Sequence, residues 1–184
     1  VKGLAPWPRL IVQTVTGLIV AGILIATNTI GTPANNIVID AFITIFWIVG
    51  ITNSINFFDN LDGGAAGAVA AASFFSFLIA FAQGQILVSA LAIVIAGAMI
   101  GFLLWNKVPA KIYMGDSGAL FLGILISVLT IRLNPNVKQV INSWAVPVML
   151  LAVPILDTCV AVISRLSRRI SPFTGGRDHL SHRL

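Results

Sequence analysis

The sequence predicts an all-α fold, a polytopic bundle of transmembrane helices. Of 184 residues, 58% are hydrophobic and only 9% are charged, whereas a soluble domain carries roughly a quarter charged residues. Six apolar runs approach or reach the roughly 20 residues that a membrane helix needs. The basic residues fall almost entirely into alternate connections between those runs, as cytoplasmic loops do.

The six spans are residues 10–26, 37–55, 65–81, 86–105, 119–133 and 140–163. The first two are apolar runs separated by the polar loop 27–36. The third is rich in Ala, Gly and Ser, including Gly67 and Ala71 at a four-residue spacing. Small residues let helix backbones approach closely, so this span is expected at the centre of the bundle. A short connection at 83–85 leads to the fourth. The fifth is short, and the sixth holds Pro147 and Pro154, two turns apart, where a bend is expected. No internal repeat, long linker or low-complexity segment interrupts the chain, so residues 1–184 read as one membrane domain.

Charge orients these spans. With both termini in the cytoplasm, that side holds nine basic residues: Lys2, Arg9, Lys107, Lys111, Arg165, Arg168, Arg169, Arg177 and Arg183. The opposite side holds only Arg132 and Lys138. The net charge of +5 therefore reports topology and lipid headgroup contacts. No basic stretch is interleaved with aromatic residues on a water-facing surface, which argues against nucleic acid as a partner. The single Cys159 excludes an internal disulfide. The first residues lack a signal-peptide pattern, and without an initiator Met the chain is expected to begin inside a longer protein.

The acids sort with the same topology. The chain has six Asp and no Glu. Asp59, Asp62, Asp116 and Asp178 fall on the cytoplasmic side together with His179 and His182, Asp157 lies within two turns of it, and only Asp40 is on the far side. Ionisable residues next to hydrocarbon are costly and normally functional. Asn53, Asn56, Asp59 and Asp62 recur every three residues before Gly63-Gly64, a spacing that places neighbours on one helix face. Helix capping would need one such residue rather than four. Asp116 and Ser117, between Gly115 and Gly118, stand at the start of the fifth span. Backbone N–H groups there favour phosphate, and Mg²⁺ takes one or two carboxylates, waters and phosphate oxygens. Lys111 adds a point charge for phosphate, although it and Asp116 also suit a headgroup contact and an N-cap. The tail 177–184, with His179 and His182 flanked by Arg177 and Arg183, suits either a diphosphate or anionic lipid. Asp157 reads as a buried structural acid and Asp40 as an interfacial or capping residue. An ion-coupled transporter is the rival from another class, but transporters place such residues near the midplane.

The segments 53–64, 110–118 and 177–184 resemble the three successive cytoplasmic signatures of the polyprenyl-phosphate N-acetylhexosamine-1-phosphate transferases. The resemblance runs in order through the whole chain. It implies transfer of a sugar-1-phosphate from a UDP-sugar to undecaprenyl phosphate at the cytoplasmic face of a bacterial inner membrane, with Mg²⁺ or Mn²⁺ and release of UMP. It implies that Asp116 binds the metal and that Asn53, Asn56, Asp59 and Asp62 form the nucleotide and catalytic pocket. Asn106, Lys111, Tyr113 and Gly115 match the strip that holds the nucleotide, and Arg177, His179 and His182 match the last loop, which engages the diphosphate or sugar. A homodimer is compatible with this reading. The donor is expected to be UDP-GlcNAc rather than the MurNAc-pentapeptide nucleotide, because the tail lacks consecutive histidines. Three features depart from the family. Its adjacent Asp pair, expected just before Val1, is absent. Its further spans before Val1 and after Leu184 are absent too, which marks the chain as part of a longer protein. Ser181 and Asn60 stand where many members have His and Gly.

Overall fold

The computed structural model describes residues 6–27, 36–136 and 140–169. They form seven α-helices: α1 (Pro6–Ala26), α2 (Ile37–Phe58), α3 (Gly64–Ala82), α4 (Ile86–Asn106), α5 (Gly115–Arg132), α6 (Val140–Leu150) and α7 (Ala152–Ser167). Arg177, Asp178, His179 and His182 lie outside the described residues. Helices α2 to α5 are each long and apolar enough to cross a membrane; α6 and α7, bent by 75° at their junction, add a fifth if the pair is one broken span rather than a re-entrant loop, against the six spans expected. The apolar part of α1, Leu10–Ala26, is shorter. By length and composition the chain is a multi-pass membrane protein. Its outward surface carries Phe42, Phe46, Phe81, Leu87 and Phe121, all exposed, as suits contact with lipid.

The bend in the last span falls between its two prolines, at Leu151, whose φ of −108° and ψ of 18° are not helical. Pro154 has no N–H to offer the carbonyl four residues before it, and its ring crowds that carbonyl. The helix therefore stops at Leu150 and restarts at Ala152. At the start of α2, Asn36 caps the helix by accepting from the N–H groups of Val38 and Ile39. Asp40 returns the bond, its Oδ2 accepting from the Asn36 N–H at 3.2 Å. The buried Asp40 is thus a capping residue, as expected.

Three seams hold the bundle together. The most extensive lies between α3 and α4, where Ala66, Ala80, Ala92 and Ala96 are fully buried. Helix α3 also touches α2, α5, α6 and α7, the central place expected of it. Gly67 and Ala71 are not its packed pair, however. A Cβ on Gly67 would meet nothing within 4 Å, and Ala71 is exposed. The second seam joins α2 to α5 through Ile48, Ile51, Ile55, Leu122, Ile126 and Leu129, all buried. At its tightest point a Cβ on Gly123 would lie 2.6 Å from the Thr52 Cα. The third joins α1 to α2 through Gln13, Gly17, Ala21 and Leu24, the buried face of α1. Several buried hydroxyls bond back to their own helices, as Ser76 does to the Ala72 carbonyl and Thr130 to that of Ile126. That satisfies them where hydrocarbon offers no partner.

The connections place helix ends in two groups. At one end the Gln85 carboxamide accepts from the Asn134 N–H at 3.1 Å and donates to the Asn134 carbonyl, tying the α3–α4 turn to the end of α5. At the other end meet the last turns of α2, α4 and α7 and the first turns of α1, α3 and α5. The Arg165 guanidinium of α7 lies 5.7 Å from the centre of the Phe57 ring of α2.

Candidate active site

Helix α2 runs one turn beyond its expected end, which sets the four-residue stripe in register. Asn53 and Asn56 lie on the helix, Asp59 is its C-cap, and Asp62 falls in the following turn. Gly63, with φ of +74°, supplies the left-handed residue that lets α3 begin at once. Gly115, with φ of +68°, does the same before Asp116 in the first turn of α5. This conformation is open to Gly at little cost.

None of the three carboxylates is used up as a helix N-cap. The N-caps of α3 and α5 are Gly63 and Met114, neither with a side-chain capping bond. Instead the carboxylates stitch α2 to α5 and to the loop before it. Asn56 Nδ2 donates to Asp116 Oδ1 at 3.3 Å. The backbone N–H of Gly115 lies close enough to the Asp59 carboxylate to favour its charged form. Asp62 Oδ2 accepts from the Ala110 N–H at 2.9 Å. Burial raises the Asp59 carboxyl to about 6 from its ordinary 3.8, the Gly115 N–H pulls it back, and the Asp116 charge adds to the rise. The Asp116 charge is felt at Asp59, a like-charge coupling that a bound cation would relieve.

Asn106 is buried and spans the site from below. Its Oδ1 accepts from the Gly63 N–H at 3.1 Å, and its Nδ2 donates to the Ile112 carbonyl at 2.9 Å. The carboxamide therefore locks the α2–α3 turn to the α4–α5 loop. Lys111 and Tyr113 are exposed on that loop, and the Lys111 ammonium lies 5.4 Å from the centre of the Trp105 ring. Asp157 and Arg165 are both buried on α7. Asn53 faces away from Asp116 towards α1, where its Nδ2 donates to Gln13 Oε1 at 2.6 Å. Gln13 was not singled out from the sequence. The available signal was a lone amide inside an otherwise apolar run.

Oxygen donors of this kind fit Mg²⁺. No cluster of three or more His, Cys, Asp or Glu able to hold a metal occurs among the described residues, so a closed cage of the zinc type is absent there. Asp116, exposed and next to Asp59, instead fits an ion that keeps several waters and shares substrate phosphate oxygens.

Fold and site together define a polytopic membrane protein with a carboxylate- and carboxamide-lined site at one end of its bundle. Residues 1–134 match glycosyl transferase family 4, and the chain belongs to that family. It is 40% identical over 142 residues to a probable undecaprenyl-phosphate N-acetylglucosaminyl 1-phosphate transferase of Bacillus subtilis (strain 168), covering 77% of this chain and 39% of that protein. It is 35% identical over 139 residues to a phospho-N-acetylmuramoyl-pentapeptide-transferase of Streptococcus thermophilus (strain CNRZ 1066), covering 72% of this chain and 41% of that one. A third relative, the phospho-N-acetylmuramoyl-pentapeptide-transferase of Listeria monocytogenes serotype 4b, is 44% identical over 113 residues, covering 58% of this chain and 35% of that protein. The chain thus spans about two fifths of the length of these curated relatives.

Proposed function

We propose that the protein containing this chain transfers a sugar-1-phosphate, N-acetylglucosamine-1-phosphate, from a UDP-sugar to undecaprenyl phosphate in cell-envelope synthesis. The observation that carries this reading is the convergence of Asn56, Asp59, Asp62 and Asp116 at one end of the bundle, beside an apolar cleft. That cleft, of about 530 Å³, lies between α1, α2 and α7 and is lined by residues including Leu10, Trp47, Phe57, Cys159 and Val162. A polyprenyl chain suits such walls, with its phosphate towards the polar end. Lys107, Lys111, Arg165 and Arg168 belong to the same end of the bundle, and Arg132 to the other. That distribution favours a cytoplasmic site in the bacterial inner membrane.

In this reaction a lipid phosphate oxygen forms a bond to the sugar-bearing phosphorus of the donor, and the bond from that phosphorus to UMP breaks. The attacking phosphate monoester is already largely ionised near neutral pH, with a second pKa of about 6, so it needs little help from a base. The chain's task is to gather anions and hold them in line. Mg²⁺ held by Asp116 would offset charge on the diphosphate and on the leaving UMP. Asn56 fixes the Asp116 carboxylate, and Asp59 and Asp62 set the turn that faces it. Support for that donor comes from the length of the match to the probable GlcNAc-1-phosphate enzyme, 142 residues at 40% identity, against 113 residues at 44% for the Listeria MurNAc-pentapeptide enzyme. UMP release from the intact protein, with UDP-GlcNAc and UDP-MurNAc-pentapeptide compared on undecaprenyl phosphate, tests both levels. Turnover with the second donor alone would correct the sugar, and turnover with neither would overturn the reaction.

The raised Asp59 carboxyl gives a separate expectation for the metal-free protein. Between about 3.8 and about 6 the folded state holds this proton while the unfolded state releases it. Stability should therefore fall as pH rises through that window and stay lower above it. Thermal melts in chelator should show this slope, and Asp59→Asn should flatten it while being at least as stable as the parent at pH 7.

A further inference from the structure

We infer that Gln13 is a positioning residue for the reaction, acting through Asn53 to fix the end of α2 on which Asn56 and Asp59 stand; the inference rests on the transferase reading above. Gln13 is 2% exposed, at the head of the α1 face that packs on α2. Its partner Asn53 has two amide hydrogens, and both are committed: Nδ2 donates to Gln13 Oε1 at 2.6 Å and to the Val49 carbonyl at 2.8 Å. The return contact, from Gln13 Nε2 to Asn53 Oδ1, is longer at 3.5 Å. A phosphate or diphosphate offers only acceptor oxygens. An Asn whose donors are both used inside the bundle is not available to hold one, so Asn53 acts by where it places α2.

The placement matters because Asn56 is one turn further along. Its 3.3 Å bond to Asp116 is a side-chain tie between α2 and the first turn of α5. A small rotation or slide of the α2 end would open that tie. Neighbouring contacts do not set this rotation equally well. Gly17, one turn below Gln13, presents only bare backbone to α2, and even an added Cβ would meet Ile45 no closer than 3.5 Å. Interhelical amide pairs in membranes add modest stability on average, so the larger consequence of losing this one is geometric.

The test compares Gln13→Leu, Gln13→Glu, Asn53→Leu and the double Leu variant in the intact protein. A neutral Glu keeps a carbonyl to accept from Asn53 and a hydroxyl to donate to it, so it is the rescuing variant. Gln13→Leu is expected to lower kcat for UMP release about ten- to a hundredfold, the scale of a small misplacement of catalytic groups, with KM for the UDP-sugar changed less than threefold. Asn53→Leu should match it, the double variant should be no worse than either, and Gln13→Glu should stay within about threefold of the parent. Hydrogen exchange provides a readout independent of turnover: Gln13→Leu should speed amide exchange at residues 113–117 of the α5 start as well as around Asn53. Additive losses in the double variant, or faster exchange confined to α1 and residues 49–53, would overturn the proposal. An inactive parent would count against the transferase reading, and exchange at 113–117 would still decide the role of Gln13.

Discussion

Asp116→Ala is expected to remove nearly all UMP release from the intact protein while leaving the bundle folded. Outer-shell partners of a metal are typically worth about 10–100-fold, so a direct ligand should be worth at least ~10³-fold. Asp116 is exposed in the first turn of α5 and supports no N-cap bond, so its loss removes little packing. Asn56 donates to it at 3.3 Å, and that bond lies at the surface. The Asp59 carboxyl should respond as well, because the Asp116 charge is one of the forces that raise it. Asp116→Asn sharpens the test. It keeps the size and most of the hydrogen bonding but removes the charge, so it should fail almost as badly as Ala. Mn²⁺ binding followed by electron paramagnetic resonance should weaken in step with turnover. Full activity in Asp116→Asn would remove this residue from the proposed metal site, whatever the reaction proves to be.

The parts legible in the sequence were those governed by local pattern. Apolar run length located six runs where the described residues form seven helices, the last run being divided into α6 and α7, and the charge and proline rules gave the convergence of Asp59, Asp62 and Asp116 and the bend in that last run. What escaped was any relation set by which faces meet. The third span advertised close packing at Gly67 and Ala71, yet the packed alanines lie on the neighbouring face and, among the described glycines, the tightest approach to another backbone is at Gly123. Composition can say that a helix is lined with small residues; only rotation of the helix decides which ones are used. Asn106 matched a nucleotide-holding strip by resemblance, and no local signal told that its carboxamide would span Gly63 and Ile112. The Gln13–Asn53 pair joins residues 40 apart in sequence, beyond the reach of any helical periodicity.

Gly123→Ala should be the most damaging single-methyl change in the bundle. The added Cβ would sit 2.6 Å from the Thr52 Cα and 3.2 Å from its carbonyl oxygen, against an ordinary contact of 3.4–4 Å. Both obstacles are backbone, so no rotamer change relieves them and α2 and α5 must separate. Overpacking of this kind costs about 1–3 kcal/mol, and the buried Thr52 hydroxyl, which has no hydrogen-bond partner, does nothing to offset it. The displacement falls where it does most harm. Thr52 is one turn before Asn56, and Gly123 is two turns after Asp116, so parting the helices here pulls apart the two elements that carry the site. Activity should fall about a hundredfold, the scale associated with a 1 Å misplacement, together with the melting temperature. Gly97→Ala and Gly101→Ala are the controls. Both glycines lie on the exposed face of α4, where an added Cβ meets nothing within 4 Å, and each change should be neutral or stabilising by up to about 1 kcal/mol through helix propensity. If Gly123→Ala behaves as these two do, in melts and in UMP release alike, then the close crossing of α2 and α5 does not set the spacing of Asn56 and Asp116.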